Sequence, residues 1–215
     1  MTRALCVALL LGACHRPTLD STFEGALTLR TTMTGEPPKD LQVEVKAGKL
    51  RFDMPSNGAA PPVHGIYDAQ RDQVVLVLDE SKTFIHLDFR RAAGLPPGSM
   101  PEASRVAKKG RDHVAGLQCE TWTAVQPTGR RTEVCVVAGL RFFDLTRVPS
   151  AAQGMSGLDD AVTQGKMLFP VRSVELDASG REVARMEVTR VDAHRVDGAR
   201  FEVPAGYIEA GGAQP

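Results

Sequence analysis

Aromatic residues are scarce in this chain: one Trp, two Tyr and eight Phe among 215 residues. So few rings argue against a surface that stacks bases or sugars. Neither sign of charge is in excess, with 26 basic and 26 acidic residues. That removes the electrostatic footprint of a polyanion-binding protein, so nucleic acid is not an expected partner. No apolar run approaches the ~20 residues of a membrane-spanning helix. There is no G-x-S-x-G elbow, no P-loop, no dinucleotide fingerprint and no internal repeat. A Ser/His/Asp triad assembled from distant positions stays open. The five histidines (His15, His64, His86, His113 and His194) stand singly, without metal-ligand spacing. Only strands that brought His64 and His86 together would make a pair. No catalytic residue, metal or cofactor is therefore assigned.

Cysteines are also few, and their places are informative. Arg3 precedes an apolar run from Ala4 to Leu11, which ends in Leu11-Gly12-Ala13-Cys14. A charged start, a short apolar stretch and a small-residue site form an export signal. The last four residues resemble the lipobox of bacterial lipoproteins. The resemblance implies cleavage before Cys14, diacylglycerol on its sulfur and acylation of the new amino terminus. Several acyl chains hold a protein on a bilayer stably, where one binds marginally. Losing Arg3 leaves the mature chain with one more acid than base. Cys6 leaves with the signal and Cys14 is taken by lipid. Cys119 and Cys135 remain as an even pair in an oxidising compartment.

Beyond a short tether from His15 to Ser21, apolar residues recur with a two-residue period. Phe23, Gly25, Leu27, Leu29 and Met33 share one parity, and Leu41, Val43 and Val45 alternate with polar partners. Leu50, Phe52 and Met54 complete a hairpin after Ala47-Gly48. Further strands are expected near Val63 to Asp68, Val74 to Leu78 and Thr83 to Phe89. Val74 to Leu78 is continuously apolar, so both its faces should be covered. The second half predicts strands at His113 to Val125, Thr132 to Val137, Val171 to Leu176, Glu182 to Val191 and Phe201 to Val203. Leu140 to Val148 and Gly157 to Gln164 read as short helices, and Ala92 to Ser104 as a long loop or lid. About nine or ten antiparallel strands with little helix indicate a mainly β fold, a curved antiparallel sheet or partial barrel.

A turn centred on Pro127 sets Cys119 opposite Cys135, at the short end of disulfide reach. Redox pairs usually sit close together at a helix start, and this spacing favours a structural staple over thiol–disulfide chemistry. Arg105, Lys108, Lys109 and Arg111 read as a solvated strand edge, with contact to anionic lipid headgroups as the functional alternative.

Several segments in order match a known pattern. They are Val114 to Trp122 with Gly116 and Cys119, Glu133-Val134-Cys135-Val136, Phe169-Pro170-Val171-Arg172, Arg185 to Thr189, and Phe201-Glu202-Val203-Pro204-Ala205-Gly206-Tyr207. Phe23-Glu24-Gly25 and Lys49 to Met54 agree in the first half. The chain resembles the bacterial envelope family known as domain of unknown function 4412, from Phe23 to Tyr207. That family is similar to the lipoprotein-localisation factors, which fold as an open half-barrel closed by helices over an apolar cavity. The resemblance implies an inward face through Leu27, Val43, Phe52 and Met186 that would hold an acyl chain or other amphiphile. A filled core is the competing reading of the same residues. His15 after the anchor, in place of Asp, implies outer-membrane sorting by the enterobacterial rule.

The expected organisation is a signal over 1–13, a lipidated tether over 14–22, one β-rich domain over 23–208 and a disordered tail over 209–215. The expected function is a non-enzymatic, lipid-anchored envelope protein facing the periplasm, with the membrane as partner through Cys14 and an amphiphile as ligand. The alternatives are a structural lipoprotein that meets an envelope protein, and a thiol–disulfide protein.

Overall fold

The computed structural model describes residues 18–54, 63–71, 73–87, 105–140 and 168–210. Alternating apolar positions produce strands throughout. The first six are β1 (Gly25–Met33), β2 (Lys39–Lys46), β3 (Lys49–Met54), β4 (Val63–Asp68), β5 (Gln73–Leu78) and β6 (Thr83–Leu87). The second group is β7 (Arg105–Val114), β8 (Leu117–Val125), β9 (Arg131–Ala138), β10 (Leu168–Leu176) and β11 (Glu182–Ala193), followed by the short β12 (Ile208–Glu209). All belong to one sheet of twelve strands, ordered β12-β6-β5-β4-β3-β2-β1-β11-β10-β9-β8-β7. Two meanders are thus joined at the middle by β1 and β11, which pair antiparallel from Gly25 with Ala193 to Met33 with Ala184.

One face of this sheet carries the main core. Leu50, Tyr67 and Val74 from one wing share a cluster with Val114, Leu117 and Cys119 from the other. The cluster runs without a break from one wing to the other, and the twist of the strands curves the sheet around this apolar face. The fold is an open, curved antiparallel sheet, as the alternation predicts. Val74 to Leu78 is covered on both faces: Val74 joins the main cluster, while Val77 packs with Ile66, Val196 and Phe201. The cover on the outer face is the C-terminal segment after β11.

Four expectations need correction. The stretch His113 to Val125 is split, because Ala115 and Gly116 take positive φ angles of 49° and 81° and make a two-residue hairpin turn. The next turn is centred on Thr128, since Val125 faces Arg131 and Thr121 faces Cys135. Its cause is local: Gly129 N–H donates to Gln126 O at 2.9 Å, and Gln126 N–H donates to Arg130 O at 2.9 Å. The turn centre moves by one residue, so Cys135 faces Thr121 and the cysteines lie diagonally. They are nevertheless bonded, with Cα atoms 5.4 Å apart. Third, Phe201 ends a 3-10 turn (Gly198–Phe201) capped by the Asp197 side chain, where a strand was expected. Fourth, Glu209, expected in the disordered tail over 209–215, pairs instead, because Ile208–Glu209 adds in parallel to β6. The expected helices at 140–148 and 157–164, apart from Leu140, and the loop at 92–104 lie outside the described residues. So do Cys14 and the signal.

Candidate functional site

A pocket of about 430 Å³ opens where the N-terminal segment meets the β7–β8 turn. Leu19, Leu117 and Val137 supply apolar lining, and Asp20, His113 and Gln118 supply polar groups. That volume lies within the range of small-molecule sites, about 300–1,000 Å³. The lining is mixed, with nearly as much polar as apolar surface, and Leu19, Leu117 and Val137 show only their edges to it.

Each wall has a local cause. Asp20 accepts hydrogen bonds from Thr22 N–H (2.8 Å), the Thr22 hydroxyl (2.6 Å) and the Thr18 hydroxyl (3.2 Å). These bonds, that of the Thr22 hydroxyl foremost, hold its carboxyl below the usual carboxylate range. The bend they close turns Leu19 and Phe23 into the core, 3% and 7% exposed. Leu19 lies in the stretch read as tether, so the chain is packed against the sheet earlier than the alternation began. A Cβ on Gly139 would come within 2.9 Å of Asp20 Cα, so the bend rests directly on the end of β9.

The floor is stapled. Leu117 and Val137 lie two residues from Cys119 and Cys135 along the same strands, and all four join the main cluster. Asp112 faces Cys119 and Arg172 faces Cys135 across their neighbouring strands. Arg172 donates to Asp112 at 2.5 Å, tying β10 to the β7 edge over the disulfide. This bond and that of the His113 N–H hold the Asp112 carboxyl low. The cysteines are 2% and 0% exposed. A partner thiolate needs access to sulfur, so this placement is that of a staple.

Leu27, Val43 and Phe52 form one cross-strand row, Leu27 facing Val43 and Val43 facing Phe52. Leu27 and Val43 are fully buried, and Phe52 and Met186 are half-buried against the same cluster. The sheet gathers all four, and none lines the pocket. His64 and His86 are not brought together, because they pair with Val77 and Val75 from opposite sides of β5. No group of three metal-ligating side chains occurs among the described residues.

His64 has a different role. Its Nδ1 lies 3.2 Å from an Asp79 carboxylate oxygen, and the Tyr207 hydroxyl donates to the other oxygen at 2.8 Å. Its Nε2 has no hydrogen-bond partner among the described residues. Burial, then the nearby Arg51 charge, pushes the imidazole below the ordinary histidine range, while Asp79 and Asp53 partly oppose this. A depressed folded-state pKa means the unfolded chain binds the proton first as pH falls. The His64 contribution is therefore complete above about pH 6.5 and is lost as pH drops through the folded value. The thermal midpoint should fall from pH 7 to pH 5, with a shallower slope in His64→Gln. Parallel slopes would contradict the assignment.

The pocket was not visible in the sequence because three separate segments build it: the N-terminal bend, the β7–β8 hairpin and the end of β9. One signal was present: an apolar Leu19 beside the Asp20-Ser21-Thr22 turn former, followed by Phe23.

A family model described as domain of unknown function (DUF4412) matches residues 23–207. No curated protein matches the sequence. Among solved structures, the chain is similar to an uncharacterized conserved protein from Thermus thermophilus. Identity there is 10% and the TM-score 0.49, with 88% of this chain and 90% of that chain covered. It is also similar to a chain of the Pseudomonas aeruginosa MucA/MucB complex, at 11% identity and a TM-score of 0.38. That likeness covers 86% of this chain but 57% of that one. A LolA superfamily protein from Nitrosomonas europaea shows 10% identity and a TM-score of 0.34, over 84% of this chain and 89% of that one.

Proposed function

The chain belongs to the DUF4412 family, and from that premise we propose a lipid-anchored, non-catalytic envelope protein that holds an amphiphile in the pocket beside its N-terminal segment. The observation that carries this reading is the pocket of about 430 Å³, with Leu19, Leu117 and Val137 against Asp20, His113 and Gln118. Burying apolar ligand surface there drives binding without covalent chemistry, and the polar groups orient the head. The anchor at Cys14, the signal over 1–13 and a periplasm-facing place on the outer membrane come from the lipobox likeness and His15. In this reading the β-rich domain runs over 23–208, and the packed Leu19 shortens the free part of the 14–22 tether.

A second reading is favoured by a specific observation. Leu27 and Val43 are fully buried by the protein's own side chains, which suits a filled core behind a protein-binding surface. In the amphiphile reading, the face through Leu27, Val43, Phe52 and Met186 acts as the rigid wall behind the pocket.

Protein extracted from membranes and released into the mass spectrometer should carry a stoichiometric amphiphile. Cys14→Ser should move the protein from the membrane to the soluble fraction while it keeps the fold. A ligand-free spectrum under gentle extraction would favour the filled-core reading. A Cys14→Ser protein that stays with the membrane would contradict the anchor.

A further inference from the structure

We propose that the outer edge of β7 docks on an anionic bilayer surface through Arg105, Lys109 and Arg111. The proposal uses neither the pocket nor the anchor. β7 ends the sheet, and among the described residues no strand pairs with its outer side. Its ten residues form a strip about 33 Å long at ~3.3 Å per residue. Arg105 and every residue from Ala107 to Arg111 are exposed. Charge along the strip is one-sided. The single acid of β7, Asp112, is paired with Arg172 at 2.5 Å. The single acid of β8, Glu120, takes Lys108 at 2.7 Å. Arg105, Lys109 and Arg111 make no ion pair among the described residues. Cations left uncompensated on an exposed strand are attracted to an anionic lipid surface, by about fivefold in affinity for each residue.

Two other partners fit this edge less well. A peptide strand would add through the backbone of β7, and that ladder is blunted in three ways. The His113 N–H already donates to the Asp112 carboxylate at 2.7 Å. A bulge breaks the register between Lys108 and Gly110. Lysines on an edge strand are themselves a common guard against added strands. A second copy of the chain would set this row of cations against itself, and like charges face to face repel. A bilayer surface needs no ladder and no register. It needs exposed cations, and the strip presents three that are free of partners among the described residues.

The single tryptophan supplies a readout, because Trp122 faces Lys108 across the β7–β8 pair and the Lys108 Nζ lies 5.8 Å from its ring centre. Mature Cys14→Ser protein, which lacks the lipid, is titrated in dilute salt with vesicles of phosphatidylethanolamine and phosphatidylglycerol. A dansyl-labelled lipid in the vesicles reports binding by energy transfer from Trp122. Binding should vanish on neutral phosphatidylcholine vesicles, and at about 1 M salt, where charges are screened within about 3 Å. Arg105→Gln, Lys109→Gln and Arg111→Gln together should weaken it about a hundredfold at an unchanged melting point. Arg71→Gln, Lys82→Gln and Arg195→Gln remove the same charge from exposed positions elsewhere. That second triple should cost less than one edge cation does, about fivefold. Equal losses in the two triples, or equal binding to anionic and neutral vesicles, would overturn the proposal and leave the pocket and the anchor untouched. A parent that ignores the vesicles yet binds an acidic peptide, with that binding lost in the edge triple, would assign the strip to a protein partner instead.

Discussion

Gly25→Ala should lower the thermal midpoint by about 8–16 °C, the largest effect expected of a Gly→Ala change among the described residues. Gly25 opens β1, at the middle of the sheet, between Val45 of β2 and Ala193 of β11. Its φ of 154° is one that side-chain-bearing residues rarely adopt, and a Cβ there would lie 2.1 Å from Asp192 O and 3.0 Å from Ala193 Cα. Both obstacles are backbone, so no rotamer change relieves them. Overpacking costs about 1–3 kcal/mol and a strained backbone adds a similar amount, which gives about 4 kcal/mol in total. The neighbouring Glu24 magnifies the damage. Its carboxylate accepts from Lys46 Nζ at 2.9 Å and Val196 N–H at 2.6 Å, and its carbonyl accepts from His194 N–H at 3.2 Å. Moving β1 therefore disturbs β2 and the C-terminal segment together. Gly198→Ala, where a Cβ meets nothing within 4 Å, should stay within about 0.5 kcal/mol of the parent in the same melt. Equal melts for the two variants would contradict this account of the sheet centre.

Removing the disulfide should cost slightly less. Cys119 and Cys135 are 16 residues apart, and a loop of that size contributes about 3 kcal/mol in the chain-entropy model. For a domain of this length, Cys119→Ser with Cys135→Ser should then melt about 6–12 °C lower. Two buried hydroxyls deepen the loss unless they find partners. Dithiothreitol acting on the parent protein should reproduce most of the shift. Because the bond staples the strands that carry Leu117 and Val137, binding in the pocket should weaken alongside stability. Envelope thiol status should be unchanged. A double variant that melts normally while envelope disulfides shift would favour the thiol–disulfide alternative.

Local pattern carried most of the fold, and long-range pairing carried the rest. The alternation at Leu41, Val43 and Val45, and again at Leu50 and Phe52, is enough to place β2 and β3, because a half-buried strand needs a two-residue period. The continuous run in β5 correctly signals cover on two faces. Register was harder, because it depends on turn type. Pro127-Thr128-Gly129 leaves the turn centre open between Pro127 and Thr128, and the choice moves every partner of Cys119 by two positions. The pairing of β1 with β11 joins residues more than 150 positions apart, and no local signal marks it. The pocket escapes a linear reading because Leu19 joins His113, Gln118 and Val137 only when β7, β8 and β9 pair and the N-terminal bend packs on Gly139. The apolar parity through Leu27, Val43, Phe52 and Met186 was legible as an inward face. Its occupants are set by packing, and Leu27 and Val43 are covered by the protein itself.

The most direct measurement of the central claim is a titration of delipidated Cys14→Ser protein with a fluorescent single-chain amphiphile below its micelle concentration, beside a His113→Trp variant. His113 is exposed at the pocket mouth, so an indole there fills the site without entering the core. The account predicts saturable binding of one ligand per chain, weakened at least about tenfold by His113→Trp at an unchanged melting point. Absence of saturable binding, or equal affinity in the two proteins, would contradict it.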